Sequence, residues 1–344
     1  MKGKYNIYLT NGKYKYDFDI ERKVTIIRGE SGTGKTTFIR LLTDYDNYGE
    51  DSGVELKCKV PCIPMMKDWV GCMRANENSI IFIDENHKFI YTEDFARELK
   101  KSNNYFVLIS RKDFGNLSYS TESIYRFVVN KNEKILCNNI ELIPNTTASI
   151  LKKDIVVEDA SSGYSFYEYL ADMYGNKCYT ADNNSNIAGY IRNENLHNIC
   201  VIADGEGFGS QFNRFIALTE KQLHVDLFLP RSFEYILLMS NLFSKDKTLK
   251  DKLIHTYDYA DTMKYKNWEV YYNKLLTDVS NRPNTYTFND NDDKEGRYLA
   301  YNKSSDIDSY KKGKVFNSII RYLQSLDQVD INKYVLSGMH LDID

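Results

Sequence analysis

The segment that most constrains this chain is a glycine-rich stretch, GESGTGKT, at residues 29–36. It follows a β-branched run, VTIIR at 24–28, and precedes a helix-forming run, TFIRLL at 37–42. A buried strand, a glycine turn and a helix start in this order place backbone N–H groups at the positive end of a helix dipole. The sequence therefore predicts a phosphate-binding loop near the start of the chain.

Each residue type in this loop has a physical role in holding a nucleoside triphosphate. Glycines let the backbone curl around phosphate oxygens, the lysine brings positive charge to the β- and γ-phosphates, and the next threonine offers a hydroxyl to Mg²⁺. We therefore expect ATP and Mg²⁺ as cofactors, with Lys35 also acting in catalysis and Thr36 also holding the metal. The predicted nucleotide-binding residues are Gly29, Glu30, Ser31, Gly32, Thr33, Gly34, Lys35, Thr36 and Thr37.

A second buried-strand pattern supplies acids of the kind that a nucleotide hydrolase requires. The run SIIFID at 79–84 ends in Asp84, and Glu85 follows it. An aspartate at a strand end is typically placed to hold Mg²⁺, and the glutamate after it is placed to orient or deprotonate the attacking water. We assign Asp84 to the metal and Glu85 to catalysis.

A third buried-strand pattern, YFVLIS at 105–110, ends in Ser110 and is followed by Arg111. The strand–helix–strand rhythm of the first 150 residues implies a parallel sheet with crossover helices. Residues 20–130 resemble P-loop ATPases of the AAA and ABC-like type, although the LSGGQ signature of ABC proteins is absent. The resemblance implies a catalytic sensor role for Ser110 and Arg111, with an ordinary surface arginine as the alternative for Arg111.

The second half of the chain repeats the alternation of strands and helices and carries acids at two strand ends. DIVVED ends in Glu158 and Asp159, and NICVIADGE contains Asp204 and Glu206. Because the carboxyl ends of parallel strands meet at one edge of a sheet, these acids are expected to form one cluster. Carboxylate oxygens are preferred ligands of Mg²⁺ and also suit Mn²⁺. We assign Glu158, Asp204 and Glu206 both to a metal and to catalysis.

This order of features resembles the Toprim fold, which has a Glu after its first strand, a small-residue turn before a helix and a later acidic pair. Here the turn contains Ser185, Asn186 and Ile187. A P-loop ATPase followed by a Toprim-like domain resembles the OLD-family nucleases and the Gabija and PARIS anti-phage systems, over about residues 20–240. The resemblance implies a nucleic-acid substrate and a setting in anti-phage defence or a mobile element, and it leaves a second protein component open.

Chain length and patterning together predict an α/β protein in three parts. The 344 residues are enough for about two domains, and the chain carries further helical patterns after the second alternation of strands and helices. A stretch rich in Pro, Asn and Thr at 141–154 is the expected first boundary. The predicted parts are a P-loop ATPase domain at 1–148, a Toprim-like domain at 149–244 and a mostly helical region at 245–344. In the last part, WEVYYNKLLTDV and KVFNSIIRYLQSL are predicted helices on either side of a polar loop at 281–295.

Composition excludes several other classes of protein. The 45 Lys and Arg against 48 Asp and Glu give a net charge of −3, which rules out a globally basic nucleic-acid clamp but leaves a local patch open. No second cysteine pair completes a zinc site near Cys58, Cys62 and Cys72. The apolar runs are too short for a membrane helix and the first residues lack a signal-peptide pattern. We expect a cytoplasmic protein without a membrane partner.

Two functions from different classes are compatible with these patterns. The first is an ATP-gated, Mg²⁺-dependent nuclease. The second is an ATP-dependent switch whose Toprim-like half binds a partner or nucleic acid without cutting, because its second acid is Glu206 where the Toprim family has Asp. A small-molecule kinase would use the same loop but would explain neither the second half nor Glu85. Because no arginine finger is evident, we also expect a homo-oligomer that supplies Arg111 or Arg126 to a neighbouring site.

Overall fold

The computed structural model describes residues 1–280, except 30–31, 66, 131–132, 139–151, 161 and 220–223, together with Gln328. In this part of the chain, α/β structure forms two compact units, each built from several stretches of sequence. Unit 1 comprises Met1–Leu142, Glu206–Asn213 and His255–Asn267, and unit 2 comprises Ile143–Gly205, Arg214–Ile254 and Trp268–Asp344.

Thirteen strands and eleven α-helices are assigned in the described residues. The strands are β1 (Tyr5–Thr10), β2 (Lys15–Ile20), β3 (Val24–Arg28), β4 (Glu55–Lys57), β5 (Cys62–Pro64), β6 (Ile80–Asp84), β7 (Tyr105–Ile109), β8 (Ile124–Asn130), β9 (Glu133–Asn138), β10 (Asp154–Val157), β11 (Cys178–Thr180), β12 (Ile199–Ile202) and β13 (Val225–Phe228). The helices are α1 (Lys35–Tyr48), α2 (Trp69–Ala75), α3 (Glu93–Lys101), α4 (Ser162–Met173), α5 (Ile187–Asn193), α6 (Gly205–Phe208), α7 (Phe212–Thr219), α8 (Phe233–Met239), α9 (Leu249–Ile254), α10 (Thr256–Tyr259) and α11 (Trp268–Ser280).

Unit 1 is built on a nine-stranded sheet in the order β4-β1-β2-β9-β8-β3-β7-β6-β5. Strands β8, β3, β7, β6 and β5 are mutually parallel, as the sequence predicts for this half. Strands β3, β6 and β7 are almost wholly buried. Their continuous aliphatic runs are typical of parallel strands that have helices on both faces. Phe38 of α1 lies in the core on one face, and Phe95 of α3 lies in the core on the other.

An antiparallel extension of this sheet was not predicted from the sequence. Strands β1 and β2 form a hairpin around Asn11 and Gly12, and β8 pairs antiparallel with β9. The hairpin signal was present in the sequence, since an Asn-Gly pair lies between two stretches of alternating apolar residues. Ile7 and Tyr16 show this alternation, because both are fully buried on the core face of the hairpin.

Unit 2 contains a four-stranded parallel sheet in the order β11-β10-β12-β13. The alternation of strands and helices predicted for this half is confirmed, and with it the α/β class. Strand β12 is fully buried, and β10 is buried except at its first residue. In the register of the sheet, Val157 pairs with Ile202, so that β10 and β12 end side by side.

The two units divide the chain differently from the three predicted parts. In the described part of residues 245–344, α9 and α11 belong to unit 2, whereas α10 belongs to unit 1. In unit 2, α11 packs on α8 through the rings of Tyr272 and Tyr235. In unit 1, the carbonyl of Tyr257 accepts a hydrogen bond from Gly3. The boundary at 148/149, the loop at 281–295 and the helix at 314–326 lie outside the described residues.

Among the helices that the structure describes, none is long and apolar enough to cross a membrane.

Candidate functional site

The predicted phosphate-binding loop connects β3 to α1. The last residue of β3 is Arg28, and α1 begins at Lys35. Gly32 and Gly34 have φ angles of 84° and 94°, which only glycine adopts without strain. Gly34 is the N-cap of α1 and has no side chain that could occupy the first N–H groups of the helix. These donors are therefore available to an anion at the positive end of the helix dipole. Glu30 and Ser31 lie outside the described residues.

The side chain of Lys35 folds back over the loop. Its Nζ donates hydrogen bonds to the carbonyl of Gly29 and to Oγ1 of Thr33, the second at 3.3 Å. Lys35 is only 8 % exposed, whereas Thr36, the next residue, is exposed. The ammonium thus lies within the loop that would surround a phosphate, and the hydroxyl-bearing residue expected at the metal is open to solvent.

A tyrosine from the antiparallel part of the sheet supports this loop, and the sequence analysis did not identify it. The hydroxyl of Tyr16 donates a 2.9 Å hydrogen bond to the carbonyl of Gly34. Tyr16 is fully buried, and burial raises its pKa to about 12. It therefore remains a neutral donor across the physiological range and fixes the residue at which α1 starts. Its place in the alternating pattern of β2 was the available signal.

The three polar strand ends predicted for unit 1 lie at one edge of its sheet. Ile27 of β3 pairs with Ile109 of β7, and Ile109 pairs with Asp84 of β6. Because neighbouring strands are about 4.8 Å apart, the Cα atoms of Ile27 and Asp84 are separated by roughly 10 Å. The phosphate loop follows β3, Ser110 follows β7, and Asp84 is the last residue of β6. Strand β7 lies between the other two.

Asp84 and Glu85 are oriented by their neighbours. The carboxylate of Asp84 accepts hydrogen bonds from the Glu85 N–H at 2.6 Å and from Nδ2 of Asn86 at 3.0 Å. The carboxylate of Glu85 accepts the Arg111 N–H at 2.9 Å and lies 3.3 Å from Nε of Arg111. Arg111 is therefore tied to the predicted catalytic acid of its own chain, although its side chain is 56 % exposed.

Ser110 lies at the predicted strand end, but its side chain is fully buried. Its Oγ is 3.1 Å from the hydroxyl of Tyr91 and 3.1 Å from the carbonyl of Lys112, and it accepts the Lys112 N–H at 2.9 Å. In this arrangement the hydroxyl closes a local turn. A sensor role for Ser110 would require it to exchange one of these partners for a phosphate oxygen.

In unit 2, the structure brings Glu158 and Asp204 to adjacent strand ends. Glu158 follows β10 directly, and Asp204 lies two residues beyond β12. Oδ1 of Asp204 accepts the N–H of Phe233 at 3.1 Å. Oε2 of Glu158 is buried and has no hydrogen-bond partner among the described residues. The hydroxyl of Tyr167 is likewise buried and unpartnered there.

Both carboxyl groups resist ionisation in this setting. Burial raises the pKa of Glu158 to about 8, and the charge of Glu269 adds to the rise. Burial also raises the pKa of Asp204 well above its usual range, and the charges of Glu158, Glu269 and Glu234 raise it further. Close carboxylates that cannot all ionise are typical of sites that hold a cation or a proton. The contribution of Glu269 was missed, because its helix was predicted to lie in a separate region.

The structure does not bring the third predicted acid, Glu206, to this cluster. Glu206 belongs to unit 1, where both of its carboxylate oxygens accept hydrogen bonds from Nη1 of Arg22, at 2.7 and 2.6 Å. Both side chains are almost fully buried. The guanidinium of Arg22 neutralises the buried carboxylate of Glu206. The position of Glu206 therefore does not agree with its expected role as a metal ligand beside Asp204. No group of three or more His, Cys, Asp or Glu side chains in the described parts of the chain is arranged to hold a metal.

Comparison with known protein families, curated proteins and solved structures finds no match to this chain.

Proposed function

We propose that unit 1 binds ATP together with Mg²⁺ and hydrolyses it. The observation that supports this most strongly is the position of Lys35, with its ammonium inside a glycine loop that opens a helix and follows a buried strand. Thr36 and Asp84 fit a magnesium ion, since one offers an exposed hydroxyl and the other a carboxylate at the same edge of the sheet. Such an ion neutralises charge on the phosphate oxygens.

The residues of this chain would divide the work of hydrolysis as follows. The N–H groups at the start of α1 and the ammonium of Lys35 bind the phosphates. Glu85 accepts a proton from the attacking water, or orients that water, while Arg111 holds the carboxylate in place. Ser110 and Arg111 remain the proposed sensor residues, and Thr37 and the other loop residues complete the nucleotide contacts.

The substitution Lys35→Ala tests the nucleotide proposal. It should lower ATP affinity or turnover by at least about a hundredfold, because the phosphates lose a charge-assisted hydrogen bond inside the loop. Alanine is a good helix former, so α1 should persist. The matched control is Lys100→Ala, which removes an exposed lysine from α3. Wild-type turnover in Lys35→Ala would contradict the proposal.

For unit 2 we propose a Mg²⁺- or Mn²⁺-dependent nuclease site on Glu158 and Asp204, acting on DNA or RNA under the control of ATP. Oε2 of Glu158, which has no partner among the residues that the structure describes, lies beside Asp204, whose burial raises its pKa, and this pair supports an oxygen-ligand site. A bound divalent cation would lower the cost of ionising both groups and would polarise a phosphodiester. Anti-phage defence, or the mobility of a genetic element, is the proposed setting.

The second candidate function is an ATP-dependent switch that binds nucleic acid or a second protein without cutting. The burial of Glu206 against Arg22 favours it, because that acid is then occupied in unit 1.

One comparison separates the two candidates for unit 2. In a Lys35→Ala background, which removes nucleotide-linked metal binding, Mg²⁺ or Mn²⁺ should raise the melting temperature through Glu158 and Asp204. Adding Glu158→Ala and Asp204→Ala should abolish this rise. The same two substitutions in the wild-type background should abolish nucleic-acid cleavage and leave ATP hydrolysis intact. Cleavage that survives them would refute the nuclease site. If the parent proteins show neither cleavage nor stabilisation by metal, the switch is favoured.

A further inference from the structure

The segment Glu206–Asn213 leaves the strand-end cluster of unit 2 and is packed within unit 1. Asp204 and Gly205 belong to unit 2, the next eight residues belong to unit 1, and the chain returns to unit 2 at Arg214. We call these eight residues the inserted segment. Its first residue is therefore only two positions after Asp204 in the chain.

Unit 1 holds the inserted segment at its start and in its middle. Glu206 is bound by the buried Arg22, whose other Nη also contacts Glu122. The N–H of Gly209 donates to the carbonyl of Tyr119 at 3.0 Å. A Cβ atom on Gly209 would overlap the ring of Tyr119, so the backbone of the segment packs directly on that ring. A closely packed, charge-paired attachment of this kind transmits displacement rather than absorbing it.

The end of the inserted segment is attached to the strand that carries the phosphate loop. Oδ1 of Asn213 accepts a 2.9 Å hydrogen bond from Nη1 of Arg28, the last residue of β3. The Nη2 of Arg28 contacts Asp113 and lies 3.2 Å from the hydroxyl of Tyr119. The Nε of Arg28 is buried and has no partner within the described residues. Arg28, the residue that precedes the loop, thus contacts both Asn213 and the tyrosine whose ring packs against Gly209.

Nucleotide binding would change the hydrogen bonding of the residue next to Arg28. The carbonyl of Gly29 now accepts a hydrogen bond from Lys35. If Lys35 turns to a phosphate, that carbonyl loses its donor and must be solvated or shift. Arg28 has a donor without a partner in the described part of the chain and is hydrogen-bonded to Asn213, so it is placed to respond to this change.

We propose that the inserted segment couples nucleotide occupancy of the loop to the position of Asp204, with Arg28 and Asn213 as positioning residues. This inference rests on the proposed binding of ATP by unit 1. In this proposal Glu206 anchors the segment to unit 1. Nucleotide binding to the loop then regulates the position of the acids at the strand ends of unit 2. Coupling of this type requires that the segment have different free energies with the loop empty and filled.

Hydrogen exchange of the full chain, with and without AMP-PNP and Mg²⁺, tests the proposal. In the wild type, nucleotide should slow exchange at least about threefold both in peptides covering 29–42 and in peptides covering 200–213. In Asn213→Ala, nucleotide should still protect 29–42 but should no longer protect 200–213. Asn213 is exposed, so the variant should fold. The matched control is Asn193→Ala, an exposed asparagine at the end of α5, which should behave as wild type.

The possible results distinguish this inference from the one on which it rests. Protection of 29–42 without protection of 200–213 in the wild type would overturn the coupling and leave nucleotide binding intact. No protection of 29–42 would overturn nucleotide binding and the coupling together. Retained protection of 200–213 in Asn213→Ala would overturn the route through Arg28.

A second variant examines the anchor independently. Glu206→Gln keeps the shape of the side chain but removes the charge that compensates Arg22. Exchange in 206–213 should then be faster than in the wild type even without nucleotide. Unchanged exchange in this variant would show that Glu206 does not anchor the segment.

Discussion

The contacts between Glu85 and Arg111 give the proposed catalytic role of Glu85 a direct test. The two residues are joined by a backbone hydrogen bond and by a side-chain ion pair. A glutamine at position 85 can still accept the Arg111 N–H, but it is a far weaker base. We therefore predict that Glu85→Gln binds ATP with wild-type affinity and hydrolyses it about 10²–10⁴-fold more slowly.

The measurement is a single-turnover ATPase assay beside equilibrium binding of a fluorescent ATP analogue. Glu93→Gln, which alters an exposed glutamate at the start of α3, is the control. Rapid hydrolysis by Glu85→Gln would identify another group as the base.

The raised pKa of Glu158 predicts how stability depends on pH. Burial raises this pKa from 4.5 to about 8, so the folded chain binds the proton more tightly than the unfolded chain does. The stabilisation is fully present below about pH 4.5 and is lost as pH rises through about 8. Each pKa unit corresponds to about 1.4 kcal/mol, so we expect a loss of at least about 2 kcal/mol between pH 5 and pH 8.

The variant Glu158→Gln should remove the part of this dependence that belongs to Glu158, whereas the buried Asp204 keeps its own contribution. An amide remains neutral at every pH, so the variant should be more stable than the wild type at pH 8 in the absence of divalent metal. Urea unfolding at pH 5 and pH 8 measures the difference. An equal pH dependence in both proteins would show that Glu158 ionises normally.

At the scale of elements, the attachment of the inserted segment depends on a glycine. A methyl group at position 209 would overlap the ring and the carbonyl of Tyr119. We predict that Gly209→Ala lowers the free energy of unfolding by roughly 1–3 kcal/mol, which is typical of overpacking a dense interior. Gly189→Ala is the control, because a Cβ atom there meets nothing within 4 Å and α5 should gain up to about 1 kcal/mol. Chemical denaturation measures the free energy of unfolding of both variants. Equal stability of the two would contradict the prediction.

Sequence patterns predicted the elements well where local signals determine them. The strands that end at Arg28, Asp84, Val157 and Ile202 are continuous aliphatic runs, and such runs are buried wherever a parallel sheet forms. The glycine loop was recognisable because its conformation depends on its own residues. These local signals were sufficient for the α/β class and for the positions of Lys35 and Asp84 in the chain.

Partners distant in sequence were not predictable in the same way. Glu206 follows a buried strand as a metal-binding acid would, but its carboxylate is hydrogen-bonded by Arg22, 184 residues earlier. Glu269 was assigned to a separate region, although its charge raises the pKa of Glu158. Both outcomes depend on which unit each stretch joins, and no short window of sequence encodes that choice.

At the scale of the whole molecule, the proposed ATPase requires positive charge at the phosphates beyond that of Lys35. Arg111 is tied to Glu85, whereas Arg126 on β8 is exposed. A homo-oligomer in which Arg126 reaches a neighbouring phosphate loop would meet this need. We predict that the turnover per chain rises with protein concentration, and that Arg126→Ala lowers maximal turnover at least tenfold with little change in ATP binding.

ATPase rates across a dilution series, read beside light scattering, measure this dependence. Arg97→Ala, which removes an exposed arginine from α3, is the control. A monomer with full turnover at every concentration would contradict the prediction.

The assembly of unit 1 from three stretches of chain also limits how this protein can be divided or recombined. A fragment that stops before residue 206 would keep Arg22 but lose Glu206, and the ring of Tyr119 would lose the backbone that covers it. The buried guanidinium of Arg22 would keep only the partly exposed Glu122 as a counter-charge, and the loss of a buried carboxylate partner costs up to about 3–5 kcal/mol, a large fraction of the stability of a typical domain. Unit 2 therefore could not have been exchanged for another domain by a single recombination event without a large loss of stability in unit 1, and the two units are expected to be inherited together.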